Sequence, residues 1–124
     1  MAALPEVVSK GWDDRKGPVI LATVDAAGTP NAIYASCVKK FSEEKLVVAD
    51  NFFSKTRANI QAGSRAALLF ITNEGKAYQV KGAIEYLTDG EIFDDMKSWN
   101  GDRPGVAAAV VNVEEVFAGA EKLL

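Results

Sequence analysis

Three apolar runs follow one another between Val19 and Asp50, and the connections between them are too short for anything but antiparallel pairing. Val19–Asp25 is β-branched and apolar and reads as a strand. Ala26-Ala27-Gly28-Thr29-Pro30 turns the chain, and Asn31–Phe41 returns as a second, longer strand. Ser42-Glu43-Glu44-Lys45 makes another polar turn before the strand Leu46–Asp50. A parallel crossover needs roughly a dozen residues or more, and neither connection reaches that.

The rest of the chain extends the pattern. Arg65–Thr72 is nearly all apolar, as for a strand covered on both faces. Lys76–Leu87 alternates, with Tyr78, Val80, Ile84 and Tyr86 on one face and Gln79, Lys81 and Glu85 on the other. Gly82 interrupts that strand centrally, which predicts a bulge, a barrel bend or a close backbone approach. Val106–Val113 is the last strand, and Glu114–Leu124 reads as a short segment and a tail. Three helices are predicted. Leu4–Trp12 carries an apolar stripe of Leu4, Val7, Val8 and Trp12, with Gly11 at its end. A second opens at Ser54 and closes at Gly63. The third, Thr88–Trp99, has Thr88 or Asp89 as its cap, Glu91 completing a capping box, and Ile92, Phe93, Met96 and Trp99 facing inward. About six antiparallel strands with short helices at the connections favour a small closed or partly open barrel, although alternation alone also fits a sandwich.

Composition narrows the chemistry. The 124 residues predict one domain, 1–124, with an ordinary 48% of apolar residues. A net charge of −3 offers no case for nucleic acid or an acidic membrane surface. No run approaches the roughly 20 apolar residues that span a bilayer, and Met1–Trp12 does not resemble a signal peptide, so the reading is a soluble, cytoplasmic protein. The chain has no histidine, which removes the usual catalytic triads and most zinc and haem sites; no metal site is expected. Cys37 is the only cysteine and sits in an apolar strand, as a small core residue does. Redox chemistry here would have to come from a cofactor.

Asn51–Gln61 is the stretch most suggestive of function. It follows the Leu46–Asp50 strand and starts a helix at Ser54, with Lys55, Thr56 and Arg57 in the first turn. Unpaired backbone N–H groups at a helix start suit an anion, phosphate above all. Cations in a first turn oppose the helix dipole by a few tenths of a kcal/mol, and a bound phosphate reverses that penalty. A solvated helix start with two incidental bases is the other reading of the same spacing.

Four stretches together resemble the FMN-binding split barrels of the pyridoxamine 5′-phosphate oxidase-like family, and in particular its small bacterial FMN-binding proteins. They are Gly28-Thr29-Pro30 leading into Asn31–Phe41; Val47–Asp50 followed by Ser54-Lys55-Thr56 and Asn59-Ile60; Val80-Lys81-Gly82-Ala83; and Ala107–Val116. The resemblance implies a mainly β, six-stranded antiparallel split barrel of Greek-key type. It further implies a homodimer with FMN at the subunit interface.

By that resemblance Lys55 pairs with the FMN phosphate, and Ser54 and Thr56 donate hydroxyl hydrogen bonds to it. Tyr34, Ala35 and Ser36 run beside the ring or ribityl chain. Val48, Ala49, Asp50 and the adjoining Asn51 supply backbone contacts to the ring's polar edge. Trp99 either covers a flavin across the dimer or belongs to the core, Phe52 and Phe53 either wall the cofactor or pack inside, and Arg57 is either surface or site. Tyr78 and Tyr86 read as barrel and interface residues rather than reactants.

True pyridoxamine 5′-phosphate oxidases are longer and carry arginine and histidine in a C-terminal segment, whereas this tail offers Lys122 as its one base. The implied function is therefore an FMN-binding flavoprotein in electron transfer, or a small flavin-dependent oxidoreductase, rather than oxidation of pyridoxamine phosphate. Its alternatives are a barrel for another phosphorylated cofactor such as F420, with haem disfavoured by the missing histidine, and a non-enzymatic dimeric module without cofactor.

Overall fold

The computed structural model describes residues 2–124. In chain order the elements are α1 (Glu6–Asp13), β1 (Val19–Val24), β2 (Pro30–Ala35), β3 (Val38–Ser42), β4 (Lys45–Asp50), α2 (Lys55–Gln61), β5 (Arg65–Ile71), β6 (Ala77–Leu87), α3 (Glu91–Asn100), β7 (Ala107–Asn112), β8 (Glu115–Ala118) and β9 (Glu121–Lys122). The strands pair antiparallel throughout in the order β2-β1-β5-β6-β7-β4-β3, with β8 beside β6 and β9 beside β8. This curled sheet is the half-barrel of a split β-barrel.

Among the described residues nine strands stand where about six were expected. One difference arises because Asn31–Phe41 is not a single strand. It breaks at Ser36–Cys37 into β2 and β3, which lie at opposite ends of the sheet order, so the break is where the barrel splits. The other two strands, β8 and β9, occupy the expected tail; β8 pairs with β6, and Leu123 and Leu124 pack against the core.

The bend in the barrel is made on β6. Its first half pairs with β5 and β8, and its second half with β7. Between Ile84↔Val111 and Lys81↔Glu115 the β7–β8 side carries one extra residue, which is a bulge. Gly82 sits opposite it, and a Cβ there would lie 1.7 Å from the Asn112 carbonyl oxygen. Of the three readings of Gly82, the close backbone approach is the cause, and the bend follows from it. Glu114 completes the corner by accepting from the Ala83 N–H (2.8 Å) and pairing with Arg65 (2.6 Å).

The main core lies inside the curl, built from Val19, Leu21, Leu46, Val48, Leu68, Phe70, Val80, Val111 and Val116 and closed at one end by Leu4, Val8 and Trp12. A second, smaller core of Val47, Ala49, Met96, Ala108 and Val110 lies under α3. Strands β4 and β7 are therefore buried on both faces. The double coverage expected of β5 belongs to them instead. Leu69 and Ile71 on β5 are exposed.

The helices differ from expectation at their ends. Helix α1 begins after Pro5 and carries Gly11 in its interior, where a Cβ would meet the Tyr78 ring at 2.8 Å; Val7, predicted to face inward, is exposed. Helix α3 begins after Gly90, without the predicted capping box, because Thr88 and Asp89 lie before its start. Helix α2 has Ser54 at its N-cap position, but the hydroxyl makes no capping bond. No helix among the described residues is long and apolar enough to cross a membrane.

Candidate functional site

The split between β2 and β3 opens onto a cleft of about 400 Å³. One wall is the inward side of β2 with Asn31, Ile33 and Ala35, continued by Ser36 and Cys37 at the break. The other is the end of β4 and the segment that follows it: Ala49, Asn51, Phe52, Phe53, Ser54, Lys55 and Thr56. Arg103, on the loop after α3, closes the rim, and Tyr34 lies at the mouth. The volume falls in the range of about 300–1,000 Å³ usual for small-molecule sites.

Of the residues singled out from sequence, Tyr34, Ala35, Ser36, Ala49, Asn51, Ser54, Lys55 and Thr56 are brought together on this cleft. Val48 and Asp50 do not line it. Val48 is hydrogen-bonded in ladders on both sides, to β3 and β7, and its side chain is in the main core. Asp50 is fully buried beneath the cleft segment. Trp99 lines an adjoining depression with Ser36, Cys37, Val38, Lys39 and Arg103, packs against the second core, and donates its indole N–H to Asp95 (3.3 Å). The two phenylalanines part company: Phe53 packs against the main core, while Phe52 is 81% exposed.

Asn31, Ile33, Cys37 and Arg103 also line the cleft, the first three on the same stretch as Tyr34, Ala35 and Ser36. Asn31 had a legible signal, a polar residue on the strand face that otherwise presents Ile33 and Ala35. It donates to the Thr56 hydroxyl (3.2 Å), so β2 and α2 are tied across the cleft floor. Arg103 had none. Its loop folds back through contacts between residues distant in sequence, which no periodicity encodes.

The electrostatics of the cleft are one-sided. Among the described residues no aspartate or glutamate lines it, in a chain whose net charge is −3. Lys55 is exposed, and its side chain has no ion pair or hydrogen bond among the described residues. Arg103 donates one bond to the Asn100 carbonyl (3.3 Å) and has no carboxylate partner among the described residues. Helix α2 is only seven residues long, so its dipole adds little, and the side-chain cations carry the field.

Arg57 is neither free surface nor cleft. It turns away to Asp50, with Nε to Oδ2 at 2.7 Å and Nη2 to Oδ1 at 3.0 Å. Asp50 also accepts from the Tyr86 hydroxyl (2.6 Å) and the Phe53 N–H (3.0 Å). Burial by itself would raise the Asp50 carboxyl; the bonds from Arg57, Tyr86 and Phe53 and the Arg57 charge outweigh it and hold the group below its usual range. Burial, then the bond and charge of Asp50, push the Tyr86 phenol up. The Asp50 bond holds the Arg57 guanidinium firmly protonated.

Asn51 is committed too. Its Oδ1 accepts from Asn100 Nδ2 (2.7 Å) and the Gly105 N–H (2.9 Å), and its Nδ2 donates to Asn100 Oδ1 (3.2 Å). This pair docks the Arg103 loop against the end of β4. What Asn51 has left for a ligand is its backbone and the second Nδ2 hydrogen.

Comparison with known proteins agrees with the architecture. Residues 12–118 match the family model described as pyridoxamine 5′-phosphate oxidase. An uncharacterized protein of Methanocaldococcus jannaschii is 31% identical over 105 residues, covering 80% of this chain and 70% of its own. A proposed pyridoxamine 5′-phosphate oxidase from Lactobacillus delbrueckii superimposes with a TM-score of 0.80 at 25% identity, covering 94% of each chain. An FMN-binding protein from Syntrophomonas wolfei does so with a TM-score of 0.73 at 19% identity, over 90% of this chain and 94% of its own. The same fold is found in an F420 reductase (TM-score 0.65, 20% identity, 84% and 91% coverage) and in the heme storage protein HutZ of Vibrio cholerae (0.71, 17%, 94% and 95%). With the family model spanning most of the curled sheet and its cleft, the chain is a member of the pyridoxamine 5′-phosphate oxidase family.

Proposed function

We propose that this protein binds FMN in the cleft between β2 and α2 and serves as a small flavoprotein, an electron carrier or an FMN-dependent oxidoreductase. The observation that carries this reading is the pairing of an uncompensated Lys55 with a cleft that no acidic side chain lines. Lys55 would hold the phosphate, with the Ser54 hydroxyl, which has no partner among the described residues, and the Thr56 hydroxyl beside it. Tyr34, Ala35 and Ser36 would flank the ring or ribityl chain, and Ala49 and Asn51 would present backbone to it. When bound, FMN supplies electron-transfer chemistry that no side chain of this chain carries. The protein's part is to hold the phosphate, to orient the ring along β2 and to exclude water from it.

A homodimer with the cofactor near the subunit interface belongs to the same reading. Tyr34 is 75% exposed at the cleft mouth, and the outer face it shares with Leu69, Ile71 and Val24 is uncovered. Contiguous apolar surface of this kind marks an association site. The setting this reading assumes is the cytoplasm. Trp99 is proposed as a second wall, reached through the depression it shares with Arg103. Haem is the weaker ligand because the chain has no histidine to ligate iron.

Titration of the purified protein with FMN, riboflavin and F420 tests this. FMN should bind with a yellow, perturbed flavin spectrum and more tightly than riboflavin. Equal affinity for FMN and riboflavin would refute the phosphate site, and a preference for F420 would replace the cofactor.

A further inference from the structure

The side chain of Asp50 faces away from the cleft, yet its contacts converge on the segment that carries Lys55. Both carboxylate oxygens are filled, each by two donors, and the residue is fully buried. The donors come from three places: the Phe53 N–H in the cleft segment, Arg57 on α2, and the Tyr86 hydroxyl on β6. Phe53 lies two residues before Lys55 and Arg57 two residues after it. The ammonium that faces the cleft is thus flanked on both sides by tethers to one buried carboxylate, and Lys55 makes no side-chain bond of its own that could hold it.

We infer that Asp50 is a positioning residue for the anion site: its carboxylate, braced by Tyr86, clamps Phe53 and Arg57 and thereby sets Lys55 against the cleft. The inference rests on the FMN reading, since it assigns Lys55 an anion to hold. It goes beyond that reading in giving the work of alignment to a group that touches no ligand. The bidentate Arg57 contact matters here because its planar fork fixes direction as well as distance. The same contact spends the Arg57 charge, so Lys55 is left as the cation of this segment.

The test is the ratio of riboflavin to FMN dissociation constants, which isolates the phosphate, measured by flavin fluorescence titration on the folded protein. Asp50→Asn keeps the shape but removes the charge and turns one of the two acceptor oxygens into a donor opposite Arg57. It should lower the preference for FMN by about tenfold, the scale of one charge-assisted bond, and leave riboflavin binding within about twofold. In a Lys55→Ala background, Asp50→Asn should have no further effect on the ratio, because both changes act through one ammonium. Tyr86→Phe removes only the brace; it should lower the ratio by about threefold and lose that effect too without Lys55. It also serves if Asp50→Asn fails to fold. Amide hydrogen exchange of the flavin-free protein adds a readout independent of ligand: the Phe53 amide should lose protection in Asp50→Asn while β7 amides keep theirs.

An unchanged ratio in a folded Asp50→Asn or Tyr86→Phe protein would overturn the inference, as would effects that multiply with Lys55→Ala. A raised ratio would overturn it as well, by making Arg57 a withheld anion ligand rather than a tether. If the unaltered protein binds neither flavin, the FMN reading itself fails and takes the inference with it. A normal preference in the unaltered protein with no change in the variants sinks the inference alone.

Discussion

Replacing Gly82 by alanine should cost this protein a large part of its stability, and the structure sets the scale. The added Cβ would lie 1.7 Å from the Asn112 carbonyl oxygen and 2.9 Å from its carbon, where real Cβ contacts essentially never fall below 3.0 Å. The obstacle is backbone, so no side-chain rotation relieves it. The carbonyl must retreat by more than an ångström, away from a corner where the Asn112 amide donates to Glu85 (3.1 Å), its Oδ1 accepts from Lys45 (2.7 Å), and Glu114 holds the Ala83 N–H.

Overpacking of this kind costs about 1–3 kcal/mol, and one or two lost hydrogen bonds add about 1 kcal/mol each, for a total of about 2–5 kcal/mol. Against a typical stability of about 5–15 kcal/mol, that is a melting temperature lower by roughly 10–20 °C for a chain of this size. Gly63 provides the contrast. Its φ of +95° strains any side chain, but nothing lies within 4 Å, so Gly63→Ala should cost only the dihedral penalty of about 1–2 kcal/mol. Circular dichroism melts and urea titrations of both variants decide the matter. If Gly82→Ala melted within about 3 °C of the parent, or lost less than Gly63→Ala, the account of the corner would be wrong.

Three further outcomes are expected. Lys55→Ala should weaken FMN by about tenfold and riboflavin by less than twofold, with the difference shrinking as salt rises because the ammonium is exposed; a salt-independent loss would point away from charge. The Asp50 carboxyl is held below its usual range in the folded state, so its network contributes in full above about pH 4 and is lost as pH falls through the depressed value. Asp50→Asn should therefore flatten the acid limb of stability against pH, and an unaltered limb in urea titrations would contradict the assignment. In the proposed homodimer, Leu69→Glu with Ile71→Lys should shift the sedimentation coefficient from dimer to monomer without lowering strand content, since both residues are exposed; a variant that stayed dimeric would move the interface elsewhere, and a parent protein that sediments as a monomer would refute the dimer.

What the sequence made legible was what depends on neighbours along the chain. Short turns between Val19 and Asp50 determined antiparallel order, alternation in Lys76–Leu87 placed Tyr78 and Val80 inward, and the interruption at Gly82 marked the corner before any contact was known. The cations next to Ser54 flagged the cleft segment for a related reason, because two bases in a first helical turn conflict with the helix itself. The family followed from several such stretches taken together.

What only the tertiary structure decided is what depends on partners distant in sequence. The break at Ser36–Cys37 has no local cause; it exists because β2 and β3 close opposite ends of one sheet. Coverage likewise passed from β5 to β4 and β7, since those strands lie between the main core and α3 while Leu69 and Ile71 of β5 stay exposed. Above all, Lys55 and Arg57 look alike in sequence, two residues apart in the same turn. Three-dimensional packing sends Arg57 to a buried carboxylate and leaves Lys55 facing the cleft, because the charge that is buried is that of Asp50, and the part-exposed Arg57 is the counter-charge it needs.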